Sequence, residues 1–243
     1  MGIAVEIAVQ DLAGAEVALA ERADRIEVCT ALGMGGLTPS AALIRSAVEH
    51  AEAEGRPGFV HVLVRPRGGG FVYDAAEIAL TVADIRYAGS AGAAGVVIGA
   101  LDEAGTVDGE ALSRFVDAAE GMQVTFHRAI DVVPDPVAAI DELAVRGVHR
   151  VLSSGGAGRT ADGVRTLRAL RERAAGRLEV MAAGGVRVED IPALARAGVD
   201  AVHLSARYVV SGPPSGPGGG ASDYEITDPT TVAAAVAAAS ATD

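Results

Sequence analysis

Residues 59–67 read Phe-Val-His-Val-Leu-Val-Arg-Pro-Arg, and their alternation decides the fold. In an extended chain Val60, Val62 and Val64 lie on one face, while His61, Leu63, Arg65 and, just beyond, Arg67 follow the other. Such a strand needs helices over its aliphatic face and an explanation for its polar one. Four other runs split in the same way: Val5 and Ile7 against Glu6, Ile26 and Val28 against Glu27 and Cys29, Val124 and Phe126 against Thr125 and His127, and Val202 and Leu204 against His203 and Ser205.

Working outward, eight β-rich runs alternate with longer helical patterns: residues 3–8, 25–29, 59–64, 95–99, 123–127, 150–154, 178–182 and 201–205. Thr38-Pro39, Asp135-Pro136 and Asp228-Pro229 each set a capping side chain before a proline, whose missing N–H costs nothing at the first helical position. Asp74 followed by Glu77 reads as a capping box. Gly92, Gly147 and Gly198 cap helices that feed even-numbered strands, a weak internal repeat. Strict alternation implies parallel strands with right-handed crossovers, and eight units favour closure over an open sheet. The expectation is an α/β fold, a single (β/α)8 TIM barrel spanning residues 1–243 as one domain. A Gly/Pro/Ser-rich loop at residues 211–222 separates strand eight from the final helix.

Composition narrows the function. The chain is 50% hydrophobic but only 3% aromatic, with no Trp and a net charge of -12. That leaves few base-stacking platforms and no evident basic stripe, so nucleic acid is not an expected partner. Residues 1–12 lack a basic region before an apolar run, and residues 232–241 are too few to cross a bilayer, so neither a secretory signal nor a membrane partner is expected. One cysteine, Cys29, excludes an intramolecular disulfide and suits a cytoplasmic location.

If the aliphatic faces meet the helices, then Glu6, Glu27, Cys29, His61, Arg65, Arg67, Thr125, His127, His203 and Ser205 turn towards the barrel axis. Most barrels fill that axis with Val, Ile and Leu, so charges there imply mutual pairing, a ligand, or both. Arg65, Arg67, His127 and Arg128 fall at the carboxyl ends of strands, where barrels build their sites. Ser154-Gly155-Gly156 after strand six and Gly184-Gly185 after strand seven offer backbone N–H groups to an anion, although such turns also occur for conformational reasons alone.

The segments ADRIEVCTALGMGGLTPS, VHVLVRPRGGGFVY, VTFHRAIDVVPDP, RVLSSGG and HLSAR, in that order, resemble the CutC family, and the resemblance runs to about Arg207. It implies a cytoplasmic TIM barrel, often oligomeric, associated with copper homeostasis or copper binding. Residues that match the family pattern are Glu6, Glu27, Cys29, Arg65, Arg67, His127, Arg128, Asp131, Ser154, His203 and Ser205. Ala8 stands where the family commonly has a cysteine, and Gly70 where it has an aspartate.

Two functions follow. One is copper homeostasis, with Cu(I) held by Cys29, by Met34 in the same loop and by His203 or His127, since soft sulfur suits that ion. The other is an enzyme acting on a small anionic or phosphorylated metabolite. There Arg65, Arg67 and Arg128 clamp the anion with Ser154, Gly155, Gly156, Gly184, Gly185 and Ser205, while Glu6 or Glu27 is the base and His127 the acid or electrophile. Asp131 orients His127 or pairs with Arg128. A homo-oligomer is expected, no cofactor besides copper is implied, and His50, His61 and His149 are read as structural or solvated.

Overall fold

The computed structural model describes residues 2–214, 216–217 and 222–242. Eight parallel strands close into a barrel in chain order: β1 (Ala4–Val9), β2 (Arg25–Val28), β3 (Val60–Leu63), β4 (Gly95–Ile98), β5 (Gln123–Phe126), β6 (Arg150–Ser153), β7 (Glu179–Ala183) and β8 (Ala201–Leu204). Between them run helices α1 (Leu12–Ala20), α2 (Ala41–Ala53), α3 (Ala75–Ser90), α4 (Gly109–Ala119), α5 (Pro136–Val145), α6 (Val164–Ala174) and α7 (Ile191–Arg196), and α8 (Pro229–Ser240) packs against β1, α1 and α7. The TIM barrel expected from the alternation is therefore the fold of the chain.

Local sequence explains each helix start. Asp108 accepts from the N–H groups of Glu110 and Ala111 at 3.1 and 2.9 Å, and a cap of this kind contributes about 1 kcal/mol. Asp74 and Glu77 complete the capping box at α3. Downstream of the cap, α4 buries Ala111, Leu112, Phe115, Ala118 and Ala119, three and four residues apart, as one face against the barrel. Full burial of a side chain such as Leu112 or Phe115 stabilises the fold by roughly 1.5–3 kcal/mol.

The parity reading holds at the level of the core. Val5, Ile7, Ile26, Val28, Val60, Val62, Val124, Phe126 and Val202 join the shell between barrel and helices. Inside the barrel, two small apolar clusters, one of Ala8, Cys29, Leu63 and Val97 and one of Leu152, Met181, Ala183 and Ala201, share the axis with buried polar groups. At Gly95 an added Cβ would lie 2.5 Å from the His61 ring, so the missing side chain makes room for the imidazole.

One feature departs from the sequence reading. The segment around residues 211–222, expected as a plain loop, is bracketed by two short strands, β9 (Arg207–Val210) and β10 (Tyr224–Thr227), paired antiparallel with Arg207 opposite Thr227. The runs Arg-Tyr-Val-Val and Tyr-Glu-Ile-Thr carry β-forming residues, but the Gly/Pro-rich stretch between them masked the hairpin. Positions 215 and 218–221 of that stretch lie outside the described residues.

Candidate functional site

Two polar regions occupy the axis. The one nearer the amino ends of the strands is built from inward residues that meet one another. Glu6 accepts from Arg25 Nε at 2.6 Å and contacts His203 Nδ1 at 2.7 Å. Arg150 donates to Glu179 at 2.6 Å, to Thr125 Oγ1 at 3.1 Å and to Gln123 Oε1 at 3.0 Å. Burial alone would raise the Glu6 pKa, but Arg25 and His203 outweigh it and hold the carboxyl well below the usual range. Glu6 is thus a committed anion that does not line the cavity described next, which corrects the expectation that it serves as a base.

At the carboxyl ends lies a cavity of about 230 Å3, walled by Glu27, His127, Arg128, His203 and Arg207, with Gly184, Gly185 and Ser205 along its rim. Cavities for drug-sized ligands run from about 300 to 1,000 Å3, so this one suits a small metabolite. Apolar wall is supplied by Leu63, Phe71 and Leu152. Glu27 is buried, and burial, only partly offset by His203 and reinforced by Glu6, pushes its carboxyl up to about 7. His203 stands between the two carboxylates, 2.7 Å from Glu6 and, through Nε2, 3.9 Å from Glu27. Its burial opposes charging, yet Glu27 and Glu6 prevail and raise its pKa.

His127 follows β5 and caps the 3-10 turn Arg128–Val132 by accepting the Ala129 N–H at Nδ1, 3.2 Å away. Burial, then the neighbouring Arg65, lowers its pKa to about 3, so the ring is neutral. Gly99 lets it lie flat against β4, since a Cβ there would come within 2.4 Å of the ring.

Other expected ligand residues divide. Arg65 reaches the cavity wall, but its guanidinium donates to the carbonyls of Met34, Gly36 and Gly69 at 3.2, 3.2 and 2.7 Å, bracing two loops. Arg67 turns away: it pairs with Glu77, donates to the Val72 carbonyl at 2.8 Å and stacks over Tyr73, so its assignment as an anion clamp is corrected. Asp131 pairs with Arg128 at 2.8 Å rather than with His127.

Asp131 also fills the nest after β6. It accepts from Ser153 Oγ at 2.6 Å, from the Ser154 N–H at 3.0 Å and from the Gly156 N–H at 3.3 Å, while Gly155 N–H is taken by Ser153 Oγ at 2.8 Å. The protein's own carboxylate therefore holds the place assigned to an external anion at Ser154, Gly155 and Gly156, and those residues do not line the cavity.

Cys29 lies in an apolar barrel layer, fully buried, with its thiol donating to the Val9 carbonyl at 3.6 Å. Burial and the nearby Glu27 push its pKa well up, so the thiolate is disfavoured. Among the described residues, the one group of three acid, His or Cys side chains close enough to hold a metal ion is Glu6, Glu27 and His203, whose ligand atoms lie within 4.8 Å of one another. That donor set does not contain Cys29, the expected partner of His203. Two carboxylates and an imidazole suit a harder divalent ion better than Cu(I).

Sequence reasoning missed Arg25 and Arg207. Arg25 shares inward parity with Glu27 and Cys29, which was a usable signal. Arg207 reaches the cavity only because it opens the hairpin and pairs with Glu225. Among the described residues no helix is long and apolar enough to cross a membrane.

Fold and site together define a TIM barrel with an acidic, histidine- and arginine-lined cavity at its carboxyl face. Residues 3–208 match the model of the CutC family, and the chain belongs to that family. It is 42% identical to a CutC family protein of Rhizobium meliloti over 84% of this chain and 81% of that one. With a relative from Histophilus somni it shares 39% identity over 84% of this chain and 82% of the other. A crystal structure from Streptococcus agalactiae, of a CutC named for copper homeostasis, superimposes with a TM-score of 0.77 at 31% identity, covering 84% of this chain and 98% of its own.

Proposed function

We propose that this protein is an acid–base enzyme that binds a small anionic metabolite in the cavity at the carboxyl end of the barrel. The observation that carries this reading is Glu27: a buried carboxyl raised to about 7, sharing a cavity with the arginines Arg128 and Arg207. A general base works best when its pKa lies near the operating pH, and burial is the usual way to bring a glutamate there. Arg128, 45% exposed and steadied by Asp131, supplies a fixed cation at the mouth. Gly184, Gly185 and Ser205 lie where a bound anion would meet backbone and hydroxyl donors.

Cu(I) binding, the finer reading of the family's name, draws support from the Glu6–Glu27–His203 grouping alone. Cys29 does not fit it, because a soft-metal site needs a reachable thiolate and this thiol is sealed and protonated. Met34 is 61% exposed on its loop and brings no second sulfur to the buried thiol.

Titration calorimetry with inorganic phosphate and with malonate tests the proposal. Saturable binding of one of them, weakened about tenfold or more in Arg128→Ala, is expected, since a charge-assisted contact is worth about 1.5–3 kcal/mol. Binding of neither, or binding indifferent to Arg128, defeats it. A parallel Cu(I) titration under reducing conditions is expected to give the same result for wild type and Cys29→Ser; tight binding lost in that variant would restore the copper reading.

A further inference from the structure

The acid–base reading assigns no partner to His127. Its Nδ1 already accepts the Ala129 N–H, and a nitrogen that accepts holds no proton, so the ring of a neutral His127 carries its hydrogen on Nε2. That Nε2–H is buried and has no acceptor among the described residues. Buried donors are rarely left unpaired, and one left so on a cavity wall marks a place for an acceptor that the chain itself does not provide. Phe71 packs on the imidazole with ring centroids 4.8 Å apart, and the ring occupies the space that a side chain at Gly99 would fill. Glu27 lines the same cavity from β2, three strands around the barrel from β5.

A second observation comes from composition: all 20 basic residues are arginine, and the chain contains no lysine. Carbonyl activation through a lysine imine is closed to it. Any carbonyl bound here must be polarised by hydrogen-bond donors or by an electrophile that is not a lysine.

We infer that the substrate of this cavity carries a carbonyl group beside its anionic group, that His127 donates from Nε2 to the carbonyl oxygen, and that Glu27 removes a proton from the adjacent carbon. The inference rests on the acid–base reading above and specifies its substrate class. In the step, the C–H electron pair becomes the C=C bond of the enolate, the carbonyl π pair moves to oxygen, and the proton goes to a Glu27 oxygen. Return of a proton from Glu27 to the same carbon, with the oxygen's electron pair re-forming the carbonyl, restores Glu27 and completes an exchange. No electron acceptor is consumed. A neutral imidazole suits the oxygen because its N–H donates to the developing charge without being a strong enough acid to protonate the carbonyl outright.

The test uses three probes in D2O: pyruvate, 2-oxobutanoate and dihydroxyacetone phosphate, with loss of the protons beside the carbonyl followed by NMR. Exchange of at least one probe above the enzyme-free rate is expected, falling about 100-fold or more in Glu27→Gln and in His127→Asn. Asparagine keeps an acceptor for the Ala129 N–H while removing the Nε2 donor, and circular dichroism checks that each variant folds. Should His127→Asn not fold, 15N NMR of the wild-type ring decides the point: an Nδ1–H tautomer, or an imidazolium at neutral pH, overturns the assignment. Absence of exchange with all three probes, or exchange unchanged in His127→Asn, also overturns it. If phosphate or malonate still binds in an Arg128-dependent way, the anion site survives and only the carbonyl inference has failed; if neither binds, the site reading itself is what failed.

Discussion

Glu6 and Glu27 sit on neighbouring strands, both turn inward and both touch the same histidine, yet their chemistry is opposite. Glu6 meets Arg25 at 2.6 Å and is held ionised; among the described residues Glu27 has only His203, at 3.9 Å, as an ion-pair partner and is driven towards its neutral form. Buried charge alone therefore does not mark function in this barrel. Glu6 with Arg25, and Arg150 with Glu179, Thr125 and Gln123, satisfy one another, which is what a structural network requires, although His61 Nδ1 beside them has no partner among the described residues. Around Glu27, Arg128 and His127 the polar groups leave an ionisable carboxyl, an exposed cation and an unused donor around open space.

The largest expected effect breaks the satisfied half. Glu6→Ala leaves Arg25, only 11% exposed, without its partner, and breaking a buried pair from one side typically costs about 3–5 kcal/mol, to be read from urea denaturation. A variant as stable as wild type would mean that the network is incidental. In the open half, Glu27→Gln is expected to abolish activity without destabilising the fold, because a neutral amide replaces a carboxyl whose burial disfavours its charge.

The two carboxyls also separate by pH. Glu6, whose pKa is lowered on folding, contributes stability that is present above the unperturbed glutamate value of 4.5 and is lost as pH falls through its folded value. Glu27, raised to about 7, contributes stability that is complete below 4.5 and is lost as pH rises through about 7. Wild type compared with Glu27→Gln should therefore lose relative stability between pH 4.5 and 7, with the charged partners of Glu27, His203 and Glu6, left in place. A difference that is flat over this window would remove the poised base.

The smallest effect concerns Arg67, paired with Glu77 on the flank. Arg67→Ala is expected to leave phosphate or malonate affinity within about twofold, because it removes no charge from the cavity wall. An effect as large as that of Arg128→Ala would require the loop of residues 64–74 to fold over the ligand.

Much of this was legible locally. Each of the eight expected strands lies within one residue of its observed bounds, because an alternation of two and a capped helix are written in neighbouring residues. The inward set Glu6, Glu27, His61, Thr125, His127 and His203 followed from the same alternation, and all but His203 are classed as buried. The hairpin of β9 and β10 was not legible, since its turn chemistry resembles a linker and its strands pair only with each other. Nor was the fate of Ser154, Gly155 and Gly156: an anion nest looks the same in sequence whether a ligand or Asp131, more than twenty residues away, fills it.

By itself the sequence determined the barrel, the aliphatic shell, the polar axis and the carboxyl face as the place for a site, all consequences of period and capping within a few residues. Only the tertiary structure decided which inward charges are spent. Glu6 finds His203 across 197 positions of chain and Arg150 finds Glu179 across 29, and a side chain's pKa and free hydrogen-bonding capacity depend on such distant neighbours rather than on adjacent residues.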